Sequence, residues 1–154
     1  MRRLRIALLA AAAALFTLPA PAQEHWTEGP VWVVSYYRTK PGKFDEYMRY
    51  LRGTAAVSLA ESKREGLLLD SKVLVNSAIG GADDWDVALA ELFPSYGKAL
   101  DFNAADDAKS KALAEKRYKT PDQDKQREAI APRFLLRDLV ARKYFREVTL
   151  KPLP

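Results

Sequence analysis

Residues 31–38, Val-Trp-Val-Val-Ser-Tyr-Tyr-Arg, constrain the fold more than any other segment of this chain. Their β-branched and aromatic side chains predict a strand. Successive side chains of a strand point to opposite faces. Both faces of this strand are apolar, with Val31, Val33 and Tyr37 on one and Trp32, Val34 and Tyr36 on the other. A strand of this kind must be covered on both faces.

The remaining pattern predicts a helix, two strands, a helical region and a last strand. The helix is indicated by an apolar stripe with three- and four-residue steps, formed by Phe44, Met48, Leu51, Ala55 and Leu59. Gly66 stands where a left-handed residue ends such a helix. Strands are predicted at residues 67–75, 85–92 and 141–150. Helical segments are predicted at 95–117 and from Thr120 to about Asp138, with Ile130 and Phe134 pointing inward.

This order of elements predicts an α+β fold of the ferredoxin-like, split βαβ type, with an antiparallel sheet and helices on one face. The other sheet face would meet water in a lone domain, yet residues 31–38 are apolar on that side too. A second copy of the same sheet is the simplest cover. Two sheets facing each other across a two-fold axis would form a dimeric α+β barrel.

Three short segments carry a resemblance to a known group of proteins. They are residues 40–47 (Lys-Pro-Gly-Lys-Phe-Asp-Glu-Tyr) after the aromatic strand, residues 65–68 (Glu-Gly-Leu-Leu), and residues 146–152 at the end of the chain. Together they resemble the dimeric α+β-barrel superfamily, which includes antibiotic-biosynthesis monooxygenase-like and stress-responsive barrel proteins. The resemblance implies a homodimer. It does not select an activity, because members range from cofactor-free oxygenases and haem-handling enzymes to small-ligand binders.

The N-terminus predicts an exported precursor. Residues 1–22 combine three arginines, a short apolar run and the ending Ala-Pro-Ala, which is typical of a removable secretory signal. We expect a tail at 23–29, a single domain at 30–152, and a periplasmic or secreted location, with no membrane attachment after cleavage. The leader holds three of the 25 basic residues and none of the 20 acidic ones, so the mature net charge falls from +5 to +2. No clustered basic face remains to bind nucleic acid.

The inventory of reactive side chains is short. The chain has no cysteine, and its single histidine, His25, precedes the predicted domain. Thiolate and imidazole are the usual protein ligands for haem and transition metals, and imidazole is the usual base for a serine or cysteine nucleophile. We therefore expect no cofactor inside the domain.

The predicted second strand offers a candidate binding face. Asp70 and Lys72 are two residues apart and would point the same way, beside aromatic side chains such as Tyr36 and Trp85. This group could be a polar anchor in an apolar cavity, as small-molecule sites usually are. The alternative is a cross-strand ion pair at the edge of a dimer interface.

Two arginines allow a second pair of interpretations. Arg133 and Arg137 would lie one helical turn apart, where they could grip a carboxylate or simply be exposed surface charge.

Two function classes stay open at this stage. The first is an exported homodimeric barrel that binds, or slowly transforms, a small organic molecule without a cofactor. The second is a non-catalytic structural or interaction protein with a packed barrel. Whether the protein is an enzyme is not decided by these residues, and an open interior would favour the first class.

The mature N-terminus predicts a copper(II) or nickel(II) site. Cleavage after Ala22 leaves Gln23-Glu24-His25, so that the α-amine, two backbone amides and the imidazole supply four nitrogens in a square plane. We expect copper titration of the exported protein to give a visible absorption band that is lost in His25→Ala. Mass spectrometry first establishes that Gln23 is the uncyclised first residue, and a band that survives the substitution contradicts the site.

Overall fold

The computed structural model describes residues 25–78, 80–81 and 84–153. The expected leader (1–22) and residues Gln23 and Glu24 of the metal prediction lie outside this part. The elements are β1 (Trp26–Thr39), α1 (Phe44–Tyr50), a π-helical turn (Leu51–Ala55), α2 (Ala56–Arg64), β2 (Asp70–Val75), β3 (Val87–Phe93), α3 (Tyr96–Leu100), α4 (Ala104–Tyr118), α5 (Gln123–Ile130), a 3-10 turn (Ala131–Leu135) and β4 (Arg137–Leu150). No helix in the described part is long and apolar enough to span a bilayer.

The four strands form one antiparallel sheet in the order β2-β3-β1-β4. Val31 of β1 is opposite Phe93 of β3, and Tyr37 is opposite Val87. On the other side of β1, the Lys40 N–H donates to the Leu136 carbonyl at 2.9 Å. The architecture is therefore mixed α+β and compatible with the predicted ferredoxin-like fold.

Strand β1 is buried on both faces, as its sequence predicts. Val31 is fully buried and Tyr37 is 6% exposed on the face that carries the helix, while Val34 is 6% exposed on the opposite face. On the helix face, Tyr37 belongs to a buried cluster with Tyr47, Leu51, Val87 and Leu136. Among the described residues, the cluster on the opposite face consists of Val34, Ala88 and Ala90. We call the face that carries this second cluster the open face of the sheet.

The helix after β1 is continuous from α1 through the π-helical turn into α2. It ends as predicted at Gly66, whose φ of 71° is left-handed. There the Gly66 N–H donates to the Lys63 carbonyl and the Leu67 N–H to the Ser62 carbonyl, which is the Schellman arrangement. The buried stripe was predicted less well, because Phe44 is 38% exposed whereas Tyr47, outside the predicted stripe, is 1% exposed.

The helical region before β4 differs from its prediction in three ways. Helix α5 is capped by Asp122, which accepts from the Asp124 N–H at 2.9 Å, rather than by Thr120. It ends at Ile130 and passes into a 3-10 turn instead of running to Asp138. Pro132 explains this ending, because proline has no N–H to continue the helical hydrogen bonds. Phe134, predicted to point inward, is 57% exposed.

The chain divides into two compact units. The larger, Glu28–Glu147, contains all the cavities described below. The described part of the smaller consists of residues 25–27 and 148–153. In its described part, the Lys151 N–H donates to the His25 carbonyl at 2.9 Å.

Candidate functional site

A cavity of about 320 Å³ lies between the helix that follows β1 and the sheet, and we call it the helix-side cavity. Helix residues at three- and four-residue steps form one wall, so the apolar stripe that packs the core also shapes the cavity. Strands β1, β3 and β4, together with α4 and the 3-10 turn, supply the others. The lining residues are Tyr37, Tyr47, Tyr50, Leu51, Thr54, Ala55, Ser58, Leu59, Leu89, Glu91, Arg117, Tyr118, Arg133, Arg137 and Arg142.

Tyrosine rings form the aromatic part of this wall. The ring centroids of Tyr37 and Tyr47 are 6.1 Å apart in an edge-to-face arrangement, and those of Tyr47 and Tyr50 are 6.0 Å apart and stacked. Burial raises the pKa of the Tyr47 hydroxyl above its usual range, and the positive charge of Arg137 opposes this shift. Tyr47 therefore stays a neutral phenol near neutral pH.

Two of the four lining arginines interact with acidic or hydroxyl groups of the protein. The Arg117 guanidinium donates to Glu61 Oε2 at 2.6 Å, and this hydrogen bond holds the pKa of Glu61 below its usual range. The Arg142 Nε donates to the hydroxyl of Ser35 at 3.0 Å, and its charge acts on the carboxyl of Glu91.

The other two, Arg133 and Arg137, have no carboxylate partner in the described part of the chain. Each lies over an aromatic ring instead. The Arg137 guanidinium carbon is 3.5 Å from the ring centroid of Tyr37, and that of Arg133 is 5.0 Å from the ring of Phe134. Both arginines are half-buried. The sequence allowed a carboxylate grip or exposed charge for this pair, and their burial contradicts the exposed interpretation.

Three of the arginines also share an unusual feature. The Nε atoms of Arg117, Arg133 and Arg137 are buried, and none has a hydrogen-bond partner among the described residues. Buried polar atoms without a partner are uncommon in folded proteins, because each loses its hydration without compensation. Their concentration at one cavity gives this site a surplus of positive charge and of donor groups.

Apolar space adjoins the helix-side cavity. A second cavity of about 290 Å³ shares Tyr50, Thr54, Tyr118 and Arg133 with it. Its remaining wall combines apolar residues of α5, of the 3-10 turn and of the position after it with two charged residues. The apolar residues are Ala129, Ile130, Pro132, Leu135 and Leu136, and the charged ones are Lys43 and Glu46, which pair with each other at 2.6 Å. We call this the adjoining cavity.

The residues proposed from the sequence lie on the open face of the sheet, away from the helix-side cavity. The rings of Tyr36 and Trp85 are in contact, with centroids 5.1 Å apart. Lys72 Nζ lies 4.8 Å from the ring centroid of Trp32. Asp70 pairs with Lys63 at 2.8 Å rather than across the sheet, and that hydrogen bond lowers the pKa of Asp70. The structure thus places Tyr36 and Lys72 in one depression; their role in binding stays a prediction.

This depression on the open face has a volume of about 360 Å³ and is lined mostly by apolar side chains. They are Trp32, Val34, Tyr36, Leu74, Ala90 and Phe145, together with Lys72. Leu74 and Phe145 are each 45% exposed.

Within residues 25–78, 80–81 and 84–153, no three His, Cys, Asp or Glu side chains are grouped so that they could hold a metal ion. The N-terminal copper site remains a prediction, since two of its residues lie outside the described part.

Comparison with known proteins finds no match among family models, curated proteins or solved structures. The site must therefore be interpreted from its own geometry.

Glu91 provides a test of how the helix-side cavity is charged. Burial raises the pKa of its carboxyl, and Arg142 opposes that shift. The folded state then holds this proton to higher pH than the unfolded chain does. Ionisation of Glu91 therefore lowers stability progressively as pH rises above its ordinary value of 4.5. We expect the unfolding free energy of Glu91→Gln, measured relative to wild type by urea denaturation, to increase from acidic to mildly alkaline pH.

Glu115→Gln is the matched control, because Glu115 is an exposed carboxylate on α4. Its unfolding free energy should stay within about 0.5 kcal/mol of the wild-type value over the whole pH range. If the unfolding free energy of Glu91→Gln relative to wild type stays constant or decreases as pH rises, then burial does not raise the pKa of Glu91 as described.

Proposed function

We propose that the protein is an exported homodimer of the dimeric α+β-barrel type that binds a small organic molecule in the helix-side cavity without a cofactor. The observation that carries the proposal is the cavity itself. Its volume of about 320 Å³ lies at the lower end of the range of ligand sites, and aromatic walls with a few convergent polar groups are their usual lining. Slow transformation of the ligand belongs to the same proposal, with Glu91 as the group that exchanges a proton, because burial moves the pKa of its carboxyl toward neutral pH.

We favour ligand binding over the alternative, a non-catalytic structural or interaction protein with a packed barrel, because the helix-side cavity leaves room for a small ligand beside the sheet. The superfamily resemblance supports the same proposal only at the level of architecture, through the strand order and the apolar open face.

A cavity-filling substitution tests ligand binding. Ala55 lines the cavity, so the larger side chain of Ala55→Phe should fill part of it. We expect this to lower the affinity for any cavity ligand by at least about tenfold, or 1.4 kcal/mol. Ala60→Phe on the exposed side of α2 is the matched control and should leave affinity unchanged. Binding of small aromatic and aliphatic acids, and of their neutral amides, is measured by calorimetry on the mature protein. The proposal fails if no compound binds, or if Ala55→Phe binds them as wild type does.

Dimerisation through the open face has its own test. Leu74 and Phe145 are large apolar side chains that remain 45% exposed on this face. We expect a dimer by light scattering at micromolar concentration. Leu74→Asp and Phe145→Asp should each raise the dissociation constant by about thirtyfold or more, as for a central interface residue.

Val57→Asp is the control for this experiment, since Val57 is 51% exposed on α2 rather than on the sheet. A folded wild-type monomer would refute the dimer, as would an equal effect of all three substitutions.

A further inference from the structure

The cation surplus of the helix-side cavity specifies the kind of ligand. Four arginines line it, and two acidic groups, Glu61 and Glu91, act on Arg117 and Arg142. Among the described residues this leaves Arg133 and Arg137 without a countercharge. Breaking or omitting one partner of a buried ion pair is costly, because the remaining charge is poorly hydrated. A bound anion removes that cost.

The way these two arginines are held suits oxyanion recognition. Arg137 lies over the ring of Tyr37 and Arg133 over that of Phe134. A guanidinium placed over an aromatic ring still has N–H groups to donate, and these match the two oxygens of a carboxylate or phosphate. The buried Nε atoms of both residues still lack an acceptor among the residues that the structure describes.

Arg133 also borders the adjoining cavity, where alanine, isoleucine, proline and leucine side chains supply apolar wall and the charged residues Lys43 and Glu46 pair with each other. A ligand bound at Arg133 through its charged end can therefore extend an apolar body into this space. An inorganic anion would fill only the part of the site next to the arginines and would leave the adjoining cavity empty.

We propose that the ligand is an organic anion with an apolar body, whose carboxylate or phosphate group binds Arg133 and Arg137 and whose body extends toward the adjoining cavity. This inference rests on the proposed function, because it names the ligand class of the same cavity. Both acid types share the oxyanion chemistry that the arginines recognise, and the experiment separates them.

The test uses the mature protein and matched probe pairs in calorimetry. Naphthoate and octanoate are compared with naphthamide and octanamide, which keep the body and lose the charge, and naphthyl phosphate is compared with inorganic phosphate. A charge-assisted hydrogen bond is worth roughly tenfold to a hundredfold in affinity, so each acid should bind at least about tenfold more tightly than its amide. Whichever of naphthoate and naphthyl phosphate binds more tightly identifies the acid type. Inorganic phosphate should bind far more weakly than either.

Substitutions then assign the effect to the two arginines. Arg133→Gln and Arg137→Gln should each lower the affinity for the preferred acid by about tenfold to a hundredfold and leave the affinity for its amide unchanged. Arg137→Lys retains the cation while losing the planar fork, so it should fold like wild type and bind with intermediate affinity. Arg49→Gln, an exposed arginine on α1, is the control and should have no effect.

The outcomes separate this inference from the proposed function. If the amides bind as tightly as the acids and the arginine variants behave like wild type, the cavity binds a neutral molecule and the anion inference is wrong. If inorganic phosphate binds as tightly as naphthyl phosphate, the inference that the ligand has an apolar body is wrong. If neither acids nor amides bind, the proposed function fails and this inference fails with it.

Discussion

Strand β1 has to be covered on both of its faces, and the rest of the described structure depends on that constraint. On one face the cover comes from the same chain, where Tyr47 and Leu51 of the following helix pack on Tyr37 and Val87. On the open face, the buried cluster is packed only against side chains of the sheet and its loops in the described part, namely Trp32, Tyr36 and Trp85. In the described part, the helix therefore covers one face of β1, and the proposed second copy of the sheet would cover the other.

In the helix-side cavity, contact with aromatic rings stabilises arginine side chains whose burial is costly. Contact with an aromatic face stabilises an arginine by about 0.5–2 kcal/mol, depending on how far it is desolvated. Burial of a charge without a partner costs several kcal/mol. The rings of Tyr37 and Phe134 therefore offset only part of the cost at Arg137 and Arg133. The proposed oxyanion would offset the remainder.

The fold was largely predictable because its signals are local. The two-sided apolar pattern of residues 31–37 identified a strand covered on both faces, and Gly66 identified the helix end, because each depends on neighbours within a few positions. The errors arose where local signals compete. The four-residue spacing of Arg133 and Arg137 suggested one helix, but Pro132 ends helix α5 and the chain turns into β4.

The cavity was not predictable for a different reason. Its residues come from distant parts of the chain, such as Ser35 and Arg142, which hydrogen-bond across a separation of 107 positions. Alternation along one strand shows which of its residues share a face, and so it selected Asp70 and Lys72. It does not show which residues of other elements they meet. Tyr47 could have been found, since it lies four residues before Leu51 on the same side of the helix.

The two faces of the sheet are physically linked through β1. Tyr37 lines the helix-side cavity, while Val34 and Tyr36 line the depression on the open face. Backbone hydrogen bonds hold the strand between β3 and β4, so its side chains cannot shift on one face without shifting on the other. A second copy covering Val34 and Tyr36 would therefore also hold Tyr37 beneath Arg137. In this way the dimer interface would pre-organise an arginine that binds the ligand, even though no residue of the partner need enter the cavity.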